Sequence, residues 1–147
     1  MKRRLPLGIL LLLVMVLLTG CLGGGGSAVT DEQKIHTMLN KYETAMKSKN
    51  AEGLVALMYF SSHSDASKDV VRAMLEFFFT MVDSIPVYKI ESREIIVSNN
   101  AATVEGRLRY KMVATTGEIE EGIDQFIGEL IKVNNQWKIN GDSEVIL

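Results

Sequence analysis

Cysteine is nearly absent: one residue, Cys21, in 147. A single thiol excludes an intrachain disulfide and any cysteine-based metal cage. Histidine is scarce too. His36 and His63 lie far apart in the sequence, a poor start for a metal site, and the expected metal and cofactor content is none. An excess of positive charge is missing as well. Sixteen Lys and Arg stand against eighteen Asp and Glu, and three of the basic residues, Lys2, Arg3 and Arg4, lie in the first twenty positions. The rest of the chain is therefore at −5, which excludes an electrostatic nucleic-acid binder. No apolar run is long enough to span a bilayer. Leu7 to Leu18 would cover about 18 Å as a helix, against a hydrocarbon core of about 30 Å. Composition also excludes a collagen, a coiled-coil rod and a wholly disordered chain.

What is present begins with an address. Lys2-Arg3-Arg4 form a basic start, Leu7 to Leu18 an apolar stretch, and Leu18-Thr19-Gly20-Cys21 follow at once. That order reads as a secretory signal. The last four residues resemble the lipobox of prokaryotic lipoproteins: large aliphatic, small, small, cysteine. The resemblance implies a diacylglyceryl group on Cys21, cleavage before it, and residence on the extracytoplasmic face of a cell membrane, in the cell envelope. Two acyl chains hold a protein where one is marginal, each buried methylene contributing about 0.8 kcal/mol. The expected division is a signal peptide at 1–20, the lipidated Cys21 with a Gly-rich tether at 21–29, and one domain at 30–147. Gly23 to Gly26 leave the tether without a preferred conformation. They are not a phosphate loop, because no strand precedes them and no Gly-Lys-Ser/Thr follows.

Thr30-Asp31-Glu32-Gln33 is a capping-box pattern. Ile35, Met38, Leu39, Tyr42, Ala45 and Met46 then make one helical stripe. Lys34, Lys41 and Lys47 read as the opposite, solvent face, with Glu43 placed to pair with Lys47. Asn50 should cap a short second helix through Met58. A third is expected from about Ala66, closed by Pro86. Its stripe of Val70, Val71, Met74, Phe77, Phe78, Met81 and Val82 is wide enough to suggest a place deep in the core, or a lining for an apolar ligand.

Beyond Pro86 the period falls to two. Strands are expected at Tyr88–Val97, Ala102–Met112, Glu118–Val133 and Gln136–Leu147. Gly122 and Gly128 mark expected bulges. Asn134-Asn135 suits a two-residue turn. Helices followed by strands imply an α+β domain, three helices packed on a curved sheet of about four antiparallel strands. Order and spacing resemble the nuclear transport factor 2-like superfamily, and the cystatin-like plan is close to it. The best local piece is Glu129 to Ile139, which looks like a final hairpin ending in Trp137-Lys138-Ile139.

Enzymes of that superfamily, such as ketosteroid isomerase and scytalone dehydratase, work inside the cone, with a general base and donors for an oxyanion. If the face carrying Ile119, Ile123, Ile127 and Ile131 looks inward, Glu121 and Gln125 enter the cavity, where Tyr42, Tyr59 and Tyr110 could join them as ligand-binding groups. Glu121 and His36 are the candidate acid or base groups, and no complete catalytic set is visible. Ser61, Ser62 and Ser64 show no nucleophile elbow. Arg107, Arg109 and Lys111 form a basic row that Glu118 and Glu120 are expected to face. The resemblance implies a homodimer through the outer sheet as one partner. The expected function is a membrane-anchored, non-enzymatic domain that binds a ligand or partner. The alternative is a tethered isomerase, dehydratase or hydrolase.

Overall fold

The computed structural model describes residues 28–61 and 67–143. Cys21, the leader, most of the tether and His63 lie outside the described residues. Helix α1 spans Asp31–Lys47, α2 Ala51–Ala56 and α3 Lys68–Met81. Strand β1 is Met58–Tyr59, β2 Val82–Ser98, β3 Ala101–Ala114, β4 Ile119–Val133 and β5 Gln136–Asn140. They form one sheet in the order β1-β5-β4-β3-β2, antiparallel except for the β1–β5 pair. The architecture is thus α+β with five strands. The expected fourfold count missed β1, a two-residue piece that the sequence offers as the end of the second helix.

The helix starts follow the expected chemistry. Thr30 Oγ1 accepts from the Gln33 amide at 3.2 Å and the Gln33 side chain accepts from the Thr30 amide at 3.0 Å. Asn50 and Ser67 cap α2 and α3 in the simpler way. Pro86 does not end α3. The helix stops at Met81, and Pro86 lies inside β2, an edge strand, where a missing N–H costs no ladder bond.

Irregularity falls on β2 rather than β4. The β3–β4 register runs unbroken from Ala101↔Ile131 to Val113↔Ile119, with no bulge at Gly122 or Gly128. On β2 the register slips by one residue between Glu91 and Glu94, and Ser92 takes φ 51°. Gly106 faces that bulge because a side chain there would come within 2.7 Å of the Glu91 carbonyl oxygen. Asn134 and Asn135 both adopt positive φ, as the tight β4–β5 turn requires.

The core lies between α1 and the concave face of the sheet. Ile35, Leu39, Leu54, Ile90 and Val104 are among its most enclosed members. Among the described residues, every member of the cluster falls between Ile35 and Ile139. Helix α3 departs from expectation: only Phe79 is fully buried, Leu75 and Phe78 are partly so, and Val70, Met74, Phe77 and Met81 stand exposed. Among the described residues no helix is long and apolar enough to cross a membrane.

Candidate functional site

The parity of β4 decides where the expected site residues go. Phe126 and Leu130 are buried, so the even-numbered positions face the concave side. The Ile119, Ile123 and Ile127 row is exposed on the convex face. Glu121 and Gln125 go with it and do not enter the cone. Glu121 pairs with Lys111 at 2.8 Å, and that ammonium holds its carboxyl below the ordinary glutamate range. The basic row finds its partners here too: Arg109 meets Glu91 at 3.1 Å, so Glu91 and Glu121, not Glu118 and Glu120, complete the ladder. A shallow groove of about 460 Å³ runs past Arg109, Lys111, Glu121 and Ile123.

Tyr42 points into the core, where its hydroxyl lies 3.3 Å from that of Tyr88 and the rings meet edge to face. Burial first, and then the neighbouring Tyr88, push its pKa well above the usual phenol value. A phenol held so closely by another phenol is neutral at all ordinary pH and has little left to offer a ligand. Tyr59 sits half-buried on β1, the opposite edge of the sheet from β2, which carries Tyr88, the partner of Tyr42. Tyr110 is on the concave side, opposite Gly122. Its ring lies over that glycine, and a Cβ there would meet the hydroxyl at 2.9 Å, which explains Gly122 without a bulge. Desolvation, then repulsion from Asp124 and Glu120 and hydrogen bonding toward them, raise its pKa, so the phenol is neutral. Glu120 and Asp124, not Glu121, are thus the acidic residues that strand parity brings beside a tyrosine.

His36 is drawn into a different cluster. Glu43, 4% exposed, faces β2 rather than solvent. It accepts from the Ile90 amide at 2.7 Å and pairs with Arg93 and with Lys89 at 3.4 Å. Arg93 also donates to Asn40 Oδ1 at 2.9 Å and reaches His36 Nδ1 at 3.4 Å. Since guanidinium can only donate, Nδ1 is the acceptor in this contact. The β2 bulge turns Arg93 toward α1, and Glu43 satisfies an amide on the edge strand. The cluster fastens α1 to β2. Glu43 thus pairs with Arg93 and Lys89 rather than with the expected Lys47, and nothing in the sequence marks Arg93.

Two further open grooves of about 480 Å³ lie on α1. One runs beside α2 past Asn40, Thr44 and Asn50, and the other past Lys34, Trp137 and Lys138. Among the described residues no group of three or more His, Cys, Asp or Glu could hold a metal.

No protein-family model matches the sequence, and no curated protein matches it. Solved structures do. A nuclear transport factor 2-like superfamily protein from Salmonella enterica serovar Typhimurium LT2 aligns with TM-score 0.65 and 17% identity, covering 73% of this chain and 84% of that one. The fold is nuclear transport factor 2-like. A candidate scytalone dehydratase from Novosphingobium aromaticivorans DSM 12444 aligns with TM-score 0.61 and 21% identity, over 79% of this chain and 89% of that one. A candidate dehydratase of the same fold family from Streptomyces avermitilis gives TM-score 0.59 and 12% identity, over 74% and 90%. At these identities the likeness concerns fold, and the superfamily hosts unlike functions.

Proposed function

We propose that the chain is a cell-envelope lipoprotein whose domain is held at the extracytoplasmic membrane face by diacylglyceryl Cys21. There it acts as a non-enzymatic binding or accessory domain. The leader and Leu18-Thr19-Gly20-Cys21 support the location. The observation that carries the role is the placement of Glu121: it lies on the convex face, paired with Lys111, while Tyr42 is tied to Tyr88 in the core. A cone enzyme needs a tuned base and an oxyanion donor in one enclosed place. The groups expected to supply them are spread over two faces of the sheet. The convex face, with its Ile119, Ile123 and Ile127 row beside a charge ladder, suits a protein partner, a second copy included.

One arrangement favours the enzymatic alternative: Tyr110 with Glu120 and Asp124 on the concave side. A tethered isomerase or dehydratase would work there.

The location is tested by Cys21→Ala. The variant should accumulate as an uncleaved precursor that takes up no labelled fatty acid, while the wild-type protein is processed and labelled. Equal processing of both would end the lipoprotein reading.

A further inference from the structure

Val70, Met74, Phe77 and Met81 are spaced 4, 3 and 4 residues apart, and they are 51%, 65%, 66% and 47% exposed. That spacing is the a/d seam of two heptads, the pattern by which one helix receives another. It lies beside the stripe that α3 buries in its own core, through Leu75, Phe78 and Phe79. The helix is therefore apolar over about half its circumference and covered over only part of that. The four side chains leave on the order of 400 Å² of apolar surface bare, a size at which a patch on a monomer is commonly functional.

We infer that this seam packs against the same seam of a second copy, antiparallel, about a two-fold axis. Self-complementarity argues for the occupant. An axis between Leu75 and Glu76 sets Val70 of one copy opposite Met81 of the other, and Met74 opposite Phe77. Each layer then joins two apolar side chains, as an isologous contact requires. The residues flanking the seam toward the polar side are Ala73 and Thr80, small and uncharged. The nearby charges are drawn away from it: Arg72 bonds Asp69 and Glu52, each at 2.7 Å, toward α2. Among the described residues of the helix, no charge stands within the seam itself.

A bilayer is the weaker occupant, since a helix lying in a membrane surface carries Lys and Arg on its polar face. Here the charged residues of the helix are Lys68, Asp69, Arg72 and Glu76, two of each sign. None of the three grooves described above is lined by the seam. The bare area is about half of the ~800 Å² that each partner gives to a standard interface, so the expected dimer is weak and reversible. This inference is independent of the lipid anchor and of the sheet face.

The test uses residues 27–147, which contain every residue of the core cluster between Ile35 and Ile139. Sedimentation velocity over a concentration series should show a weak, reversible dimer. Phe77→Glu should weaken it at least roughly tenfold while leaving the thermal melt unchanged, because Phe77 is exposed. Ile123→Glu, on the sheet, should leave the dimer intact. Mild oxidation of Ala73→Cys/Thr80→Cys should give a covalent dimer. The two positions are about 10 Å apart along one helix, beyond disulfide reach within a chain. The inference is overturned if the protein stays monomeric throughout, or if Ile123→Glu and not Phe77→Glu breaks the dimer. It also falls if Phe77→Glu acts only on sedimentation with phosphatidylcholine–phosphatidylglycerol vesicles.

Discussion

Glu43→Leu removes the carboxylate of the α1–β2 cluster and keeps an apolar side chain of similar size. Two enclosed groups lose their partner, and the exposed Lys89 loses a weaker one. The Ile90 amide, on the outer edge of β2, loses the acceptor it holds at 2.7 Å. Arg93, 9% exposed in its side chain, loses its counter-charge. Breaking a buried pair from one side costs about 3–5 kcal/mol. Arg93 keeps Asn40 Oδ1 at 2.9 Å and the Ile90 carbonyl at 3.0 Å, which places the loss near the lower bound, about 3 kcal/mol. Against a total stability of about 5–15 kcal/mol, and for a domain of this size, that is a fall of about 10–15 °C in Tm. The double variant Glu43→Leu/Arg93→Met removes the stranded cation as well. It should recover most of the loss, leaving about 1 kcal/mol, the low end for an unpaired amide. Urea unfolding of wild type and both variants measures this directly. A loss below about 1 kcal/mol in the single variant, or a double variant no more stable than the single, would refute the claim that Glu43 fastens α1 to the bulged strand.

Trp137 is buried, and its Nε1 donates to Asp31 at 3.2 Å; Trp137→Ala should cost about 3–5 kcal/mol, and native fluorescence should be blue-shifted from the solvent value. The Asp31 carboxyl is held below its ordinary range, chiefly by hydrogen bonding to Lys132 and then to Trp137. A depressed folded-state pKa stabilises above the unfolded value of about 3.9, and that contribution is lost as pH falls through the folded value. Asp31→Asn should therefore flatten the acid limb of the stability–pH curve and leave its alkaline limb alone. Gly106→Ala brings a methyl within 2.7 Å of the Glu91 carbonyl oxygen and should cost about 1–3 kcal/mol in a thermal melt, with no gain from the alanine.

Much of the fold was legible because its signals are local. The capping box at Thr30, the α1 stripe, the alternation of Ala102 to Met112 and the Asn134-Asn135 turn all stand in the structure as the pattern implies. Pro86 misled because its effect depends on sheet position, and only an edge strand tolerates it. The site was less legible, because strand parity cannot be set by pattern when both faces are mixed. On β4 the isoleucines argue for an inward face, yet Phe126 and Leu130 are the residues that are buried. Glu43 read as a surface i,i+4 partner because nothing local marks the β2 bulge that brings Arg93 to it. The exposure of Val70, Met74, Phe77 and Met81 was hidden for the same reason: apolar spacing shows that a helix face wants cover and not what supplies it.

The binding-domain reading rests on β4 showing Glu121 to solvent and not to an enclosed cone. A carboxyl titration of β4 by NMR measures this without knowledge of any ligand. The account predicts that Glu121 titrates below the ordinary glutamate range, where the Lys111 ion pair holds it. A value of about 6 or above, the mark of a desolvated catalytic acid or base, would contradict it.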